Sequence, residues 1–120
     1  MQIRLKRAYE SQGRQDGTRV LVDRIWPRGV KKADAKIDHW LRDLAPSTEL
    51  RKWYGHDPQR WPEFRERYFR ELKANPEPVR RLRELAAGGR VTLVYAARDE
   101  RHNNAVALKE FLEGREKSKD

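Results

Sequence analysis

Charged side chains that could bind an anion follow two apolar segments of this sequence. Segment 18–22 is followed by Asp23, Arg24, Trp26 and Arg28, and segment 91–95 is followed by Arg98, Asp99, His102 and Asn103. An arginine side chain can bind a phosphate or carboxylate group through two parallel hydrogen bonds. Ligands of open α/β sheets bind beyond the carboxyl ends of the strands. If the two segments are neighbouring parallel strands, these loops therefore predict one shared site for an anionic small molecule.

Two residues of these loops, Asp23 and His102, are candidates for proton transfer. The ordinary pKa of histidine, about 6.5, is close to cellular pH, and Asp99 could orient the ring of His102. The structural alternatives are that Asp23 pairs with a nearby arginine, that His102 is a surface or capping residue, and that Asn103 only caps a helix. The residue types leave open whether the site performs a reaction.

The segment 53–56 supplies two further candidate ligand contacts, Tyr54 and His56, for which a packed turn is the structural alternative. The three histidines lack the paired spacing that is typical of zinc ligands, and the chain has no cysteine, so no metal site is predicted. Phosphate-loop, dinucleotide-binding and serine-hydrolase motifs are absent as well. The sequence therefore predicts no cofactor.

The elements that must position these residues follow from periodicity and capping signals. Strands are predicted around residues 3–5, over 18–22 and over 91–95, the last as a central strand because it is almost entirely apolar. Helices are predicted from Ser47 to Gly55, from Asp57 through Leu72, from Asn75 to Gly88, and from Asn103 or Asn104 to Gly114. Segment 33–44 fits a helical stripe, which we favour, but Ile37, His39 and Leu41 also alternate as in a strand.

Strands interleaved with helices predict an α/β fold: a single compact domain with a small, mostly parallel sheet flanked by helices. A length of 120 residues is that of one domain. We expect the domain to cover residues 1–114 and the polar tail 115–120 to be disordered. The absence of cysteine, of a signal peptide and of a long apolar segment predicts a cytoplasmic protein with no membrane partner.

The net charge of +9 is concentrated at one end of the chain. Residues 1–36 contain ten basic and four acidic residues, which is a net charge of +6. After residue 57, glutamates and arginines alternate at helical spacing, as in Glu63 with Arg67 and Glu66 with Arg70, which predicts ion pairs on a solvated helix face. The excess positive charge of the first third, joined by Arg98 and Arg101, is therefore the part that predicts an anionic partner.

Five segments of the chain resemble the YeaO-like branch of the family called domain of unknown function 488. They are GTRVLVDRIWPRG (17–29), LAPS (44–47), LRKWYGH (50–56), YAARD (95–99) and HNNA (102–105). The resemblance extends from about residue 2 to residue 113. It implies a small bacterial or archaeal α/β protein with no established activity, in which these segments form one pocket, and it also suggests that 37–44 leads into a strand. Relatives carry a cysteine after the last strand, but this chain has Ala97, Arg98 and Asp99 there, so thiol chemistry does not transfer.

Three hypotheses of function follow. The first is a pocket for an anionic small molecule, such as a phosphate ester or nucleotide, with catalysis left open. The second is a nucleic-acid-binding module that uses the cationic surface, although the recognisable nucleic-acid-binding motifs are missing. The third is a regulatory domain whose basic surface contacts an acidic protein. The sequence leaves the oligomeric state open, and we favour the pocket.

Overall fold

The loops that carry the candidate site residues leave a parallel sheet, which has four strands in the described part of the chain. The computed structural model describes residues 2–114, so the predicted tail 115–120 lies outside the described residues. The strands are β1 (Ile3–Arg7), β2 (Thr18–Leu21), β3 (His39–Trp40) and β4 (Val91–Tyr95), and their order in the sheet is β1-β4-β2-β3. All neighbouring pairs are parallel. The predicted α/β fold and the central position of segment 91–95 are confirmed.

Within residues 2–114, five helices accompany the sheet. They are α1 (Lys32–Ala35), α2 (Thr48–Tyr54), α3 (Trp61–Ala74), α4 (Pro76–Ala87) and α5 (Asn104–Leu112), and short 3-10 turns cover Arg42–Leu44 and Pro58–Arg60. The predicted caps are present: the Ser47 hydroxyl accepts a hydrogen bond from the Leu50 N–H, and the Asn103 side chain accepts one from the Val106 N–H. Gly55 ends α2 in the left-handed conformation, with φ of 54°. The predicted starts and ends of α2 and α5 are therefore confirmed.

The two faces of the sheet are covered differently. Alternate strand residues, such as Val20 and Leu93, belong to the large core cluster, which contains apolar residues of α2, α3, α4 and α5. The next residue along each strand, Leu21 in β2 and Val94 in β4, belongs to a smaller cluster on the opposite face. That second cluster is completed by Ala8, Trp26, Val30, Ile37 and Trp40. The segment after β2 therefore covers one face of the sheet, which fixes the loop that carries Arg24 and Arg28.

The preferred helical interpretation of segment 33–44 is wrong beyond its first turn. Helix α1 ends at Ala35, and Lys36 adopts a left-handed conformation with φ of 53°. The chain then extends along β2: the Asp38 N–H donates to the Arg19 carbonyl over 2.9 Å, and the Leu41 N–H donates to the Leu21 carbonyl over 3.0 Å. Pairing with β2 satisfies the backbone here, and a local helical stripe cannot reveal such a partner.

A buried ion pair fixes the start of β2. Arg19 has no exposed surface, and its Nη1 lies 2.5 Å from the Asp16 carboxylate, while its Nε donates to the Ala35 carbonyl over 3.1 Å. Asp16 also accepts from the Gly13 N–H and from Lys6. Burial acts to raise the pKa of Asp16, but these hydrogen bonds outweigh it and hold the pKa below its ordinary value. The pair is structural, because it lies at the amino end of β2 and not at the carboxyl ends of the strands.

Candidate functional site

A cavity of about 640 Å³ lies at the carboxyl ends of β2 and β4. It is enclosed by the loop after β2, the loop between β4 and α5, and the segment that contains α2. All ten residues that the sequence singled out line it: Asp23, Arg24, Trp26, Arg28, Tyr54, His56, Arg98, Asp99, His102 and Asn103. The predicted convergence of the two loops follows from the parallel pairing of β2 with β4.

Asp23 is half-buried in the lining of this cavity and is held by neutral donors. One of its oxygens accepts from the Ala96 N–H over 2.9 Å, and the other accepts from the Asn104 amide over 3.1 Å. The Asn104 amide also donates to the Val22 carbonyl. Burial raises the pKa of the Asp23 carboxyl, although both hydrogen bonds and the positive charge of Arg51 oppose the shift. The alternative in which Asp23 pairs with a nearby arginine is wrong for the described part of the chain.

Arg24 is half-buried at the wall of the cavity. Its Nη2 lies 3.4 Å from the carbonyl oxygens of Ala45 and Pro46, which are long and therefore weak hydrogen bonds. Its Nε is buried and has no hydrogen-bond partner among the described residues. A buried donor without a partner is unfavourable, and a bound water, ion or ligand is a common explanation of such a group. The guanidinium group of Arg24 thus retains the capacity to donate to an oxygen inside the cavity.

Three exposed arginines complete the cationic lining: Arg28, Arg51 and Arg98. Within residues 2–114, neither these three nor Arg24 forms an ion pair with a carboxylate. Arg51 is close enough to Asp23 to influence its pKa. The cavity therefore gathers four guanidinium groups that form no ion pair within residues 2–114.

Asp99 and His102 form the contact that their spacing predicts. The His102 Nδ1 lies 3.0 Å from one Asp99 oxygen, and the other oxygen accepts from the backbone N–H groups of Arg101 and His102. The Arg101 N–H is the main reason that the pKa of Asp99 lies below its ordinary value. The His102 ring meets Trp61 edge to face at 5.4 Å. This arrangement fixes the ring and leaves its second nitrogen as the atom available to a ligand.

Tyr54 and His56 line the wall opposite the strand ends. The Tyr54 hydroxyl donates to the His102 carbonyl over 2.9 Å, and its ring stacks on Phe64 at 4.3 Å. Burial, with smaller effects of Asp99 and Asp57, raises the pKa of Tyr54 to about 12, so the phenol stays neutral at cellular pH. His56 is exposed with a positive φ of 57°, and its ring centre is 6.4 Å from that of Tyr54. Tyr54 is thus buried in the wall of the cavity, with its hydroxyl bonded to the chain and its ring stacked on Phe64.

Trp26 and Asn103 contribute structure to the site as well as surface. The Trp26 indole N–H donates to the Val30 carbonyl over 2.6 Å, and its ring packs edge to face on Trp40. The Asn103 side chain caps α5 and donates to the Asp99 carbonyl over 2.9 Å. The capping alternative for Asn103 is therefore confirmed, although the residue also lines the cavity.

Hydrogen bonds from helix α3 hold segment 44–47, the part of the cavity wall that contacts Arg24. The buried Tyr68 hydroxyl donates to the Leu44 carbonyl over 2.5 Å. Glu71 accepts from both the Ser47 N–H, over 2.8 Å, and the Ser47 hydroxyl, over 2.6 Å. Segment 44–47 is thus held at both ends, and the carbonyl groups of Ala45 and Pro46 between those ends face Arg24.

The sequence analysis missed several lining residues: Tyr9, Ile25, Ala45, Pro46, Arg51 and Phe64. The signal for four of them was available, because Ile25 lies in the segment GTRVLVDRIWPRG, Ala45 and Pro46 lie in LAPS, and Arg51 lies in LRKWYGH. Tyr9 and Ile25 are exposed by 51% and 60% and form an apolar rim, and Tyr9 lies outside all of these segments.

A second concavity of about 760 Å³ lies along β3 and α4, but it contains none of the predicted site residues. Its charges are largely satisfied: Arg80 pairs with both Glu77 and Glu84, and Arg42 lies over the Trp40 ring at 3.9 Å. Residues 2–114 contain no group of three or more side chains that could hold a metal ion. No helix in that range is long and apolar enough to cross a membrane.

The structure is that of a parallel α/β protein with a cavity, lined in part by arginines, at the carboxyl ends of its central strands. The chain belongs to the family described as the inactive DUF488-N3 subclade, which it matches over residues 2–120. It is 44% identical to an uncharacterized protein of Mycobacterium tuberculosis (strain ATCC 25618 / H37Rv) over 113 residues. This alignment covers 94% of this chain and 95% of the relative. It is 40% identical over 112 residues to the uncharacterized protein YeaO of Escherichia coli (strain K12), with coverage of 93% and 97%. The resemblance to the YeaO-like family is thus confirmed, and no solved structure matches the chain at a significant level.

Proposed function

We propose that this cavity binds an anionic small molecule of the phosphate ester or nucleotide type. The observation that carries the proposal is the set of four lining arginines, Arg24, Arg28, Arg51 and Arg98, none of which pairs with a carboxylate within residues 2–114. Like charges that face one concave space repel each other and raise the local concentration of anions. A bound anion would relieve this repulsion.

Arg24 is the arginine best placed to hold the anion. Its Nε is buried without a partner, and its Nη2 makes only two long contacts of 3.4 Å. Exchanging weak contacts for charge-assisted hydrogen bonds to an anionic oxygen is favourable, because such bonds are roughly twice as strong as neutral ones. Arg28 and Arg98 are exposed, so they would close over the ligand from its solvent side.

The remaining wall of the cavity suits an apolar or aromatic part of the ligand. Phe64 and the Tyr54 ring stack against each other, and Pro46 and Ala97 lie among the other lining residues. Small-molecule sites typically combine such apolar walls with a few convergent polar groups. The proposed ligand therefore has an anionic group at the arginines and a less polar remainder against the apolar lining, where Ala97 and Ile25 are the more exposed residues.

We propose binding rather than turnover. Both oxygens of Asp23 already accept hydrogen bonds, and the Nδ1 of His102 is occupied by Asp99. The description of the family as inactive supports this choice. Asp23 and His102, the two residues considered for proton transfer, are thus proposed as ligand contacts.

Calorimetric titration with inorganic phosphate, sulfate and adenosine monophosphate tests this proposal. The decisive variant combines Arg24→Ala with Arg98→Ala, and the matched control combines Arg70→Ala with Arg80→Ala, which removes the same charge from helix faces. We expect at least one anion to bind the wild type and the control alike and to lose about tenfold or more in affinity for the cavity variant. Equal losses in both variants, or no binding by any anion, would contradict the proposal.

The cationic surface supports nucleic-acid binding as a second candidate. Of the ten basic residues in segment 1–36, only Lys6 and Arg19 form ion pairs within the described residues. Affinity for single-stranded DNA or RNA should then fall steeply with salt, and Lys31→Ala with Lys32→Ala should reduce the slope of that dependence by about 1–2. No binding at low ionic strength would contradict this candidate.

A further inference from the structure

We infer that the ligand of this cavity carries a protonated amine beside its anionic group, with Asp23 binding the amine and Arg24 binding the anion. This inference rests on the proposed function, which requires only the anion. It names the ligand as a zwitterion, and it assigns to Asp23 a role that an anion-binding pocket does not need.

Asp23 is a carboxyl group that lines a cationic cavity without being neutralised by it. Its two hydrogen bonds come from neutral donors, the Ala96 N–H and the Asn104 amide. No ion pair within residues 2–114 includes Asp23. An ionised carboxyl group has about four acceptor positions, so roughly half of the acceptor capacity of Asp23 is left for a ligand.

The environment of Asp23 makes a ligand cation favourable. A desolvated carboxylate without a cation is costly, and burial accordingly raises its pKa. Arg51 offsets this cost only through its field. An ammonium group inside the cavity could approach Asp23 directly and bring a positive charge, whereas the side-chain donor to Asp23 within residues 2–114 is the neutral amide of Asn104.

The neighbouring arginine turns away from Asp23. Arg24 directs its Nη2 towards the carbonyl groups of Ala45 and Pro46 and leaves its Nε unpartnered. Asp23 and Arg24 are consecutive, carry opposite charges and line one cavity, but they form no ion pair with each other. A ligand that carries both charges would satisfy both residues, whereas a plain anion would satisfy only Arg24.

The other acidic group of the cavity cannot take this role. Both oxygens of Asp99 are engaged, one with two backbone N–H groups and the other with the His102 ring. Asp23 is thus the carboxylate with capacity for an amine. The ligand class is a small molecule in which a protonated amine and a phosphate or carboxylate are a few bonds apart.

Two matched pairs of probes test this inference, and the members of each pair differ only in the amine. They are phosphoethanolamine with ethyl phosphate, and L-phenylalanine with 3-phenylpropionate. We expect the amine-bearing member of at least one pair to bind the wild-type protein about tenfold or more tightly than its partner in calorimetric titration. Asp23→Asn should bring that ratio close to one, because it removes the carboxylate that would bind the amine. Asp34→Asn, which removes an exposed acidic charge on α1, should preserve the ratio.

The outcomes separate this inference from the proposed function. If the amine-free members bind as tightly as the amine-bearing ones and lose affinity on Arg24→Ala, the zwitterion is wrong and the anion site stands. If no probe of either pair binds, the zwitterion is wrong, and the anion titrations above decide the proposed function separately. The ratio in the wild-type protein decides the inference even if Asp23→Asn folds poorly.

Discussion

The arginines of the cavity and those of helices α3 and α4 have the same side chain but different surroundings. Arg67, Arg70 and Arg80 lie one helical turn from glutamates and pair with them. Arg24 and Arg98 lie in loops after strands and pair with no carboxylate in the described residues. A helix brings partners at i±3 and i±4 onto one face, while a loop offers no such regularity. Among these arginines, the positive charges without a carboxylate partner therefore lie in loops and not on the helices.

The buried arginine Arg19 represents a third environment, in which we expect the loss of the ion-pair partner to cost the most stability. Asp16→Asn would leave its guanidinium group without an anion in a position that has no exposed surface. We expect the free energy of unfolding to fall by about 3–5 kcal/mol, as measured by urea denaturation. A loss below about 1 kcal/mol would show that the pair is effectively solvated, contrary to its burial.

The wall beside Arg24 depends on a buried hydroxyl group. Tyr68→Phe removes the hydrogen bond to the Leu44 carbonyl and leaves that carbonyl without its side-chain donor. We expect a loss of about 1–3 kcal/mol in unfolding free energy and a weaker affinity for the anions that bind the cavity. Phe69→Leu, a change in the same helix but away from Leu44, serves as the control, because it should lower stability while leaving anion affinity intact. Unchanged anion affinity in Tyr68→Phe would show that anion binding does not depend on the position of segment 44–47.

The desolvated carboxyl of Asp23 predicts a pH dependence of stability. Because its pKa in the folded protein is raised, the folded chain holds a proton that the unfolded chain has already released at the ordinary aspartate pKa of 3.8. Stability from this group is therefore lost as pH rises through that interval. The melting temperature of Asp23→Asn should gain on that of the wild type by a few degrees as pH rises from about 4 to about 8. The lowered pKa values of Asp16 and Asp99 act in the opposite direction but are common to both proteins. A melting temperature of Asp23→Asn that falls relative to that of the wild type over this pH range would contradict the account.

The helix arginines should matter least. Arg70→Ala removes one exposed pair with Glu66, and such pairs contribute about 0.2–0.5 kcal/mol. Urea denaturation should show a change of that size, and anion titration should show none. Loss of anion affinity here would mean that the total charge, rather than the cavity, attracts the ligand.

How much the sequence could predict depends on how far apart the interacting residues are. Ser47, Gly55 and Asn103 cap helices through neighbours three or four residues away, and their roles were read correctly from the sequence. The Asp99–His102 contact is equally local. By contrast, strand β3 exists because β2 pairs with it, and the partners of Asp23 lie 73 and 81 residues further along the chain. Those contacts depend on the order of strands in the sheet, which local patterns do not encode.

The central claim is that anions bind at the unpaired loop arginines and not at the paired helix arginines. Arginine Nε–Hε resonances, followed by NMR while the wild-type protein is titrated with inorganic phosphate or adenosine monophosphate, test it in one sample. The account predicts that the signals of Arg24 and Arg98 shift to saturation while those of Arg70 and Arg80 stay in place. Uniform, unsaturated shifts of all four signals, or larger shifts at Arg70 and Arg80, would contradict it.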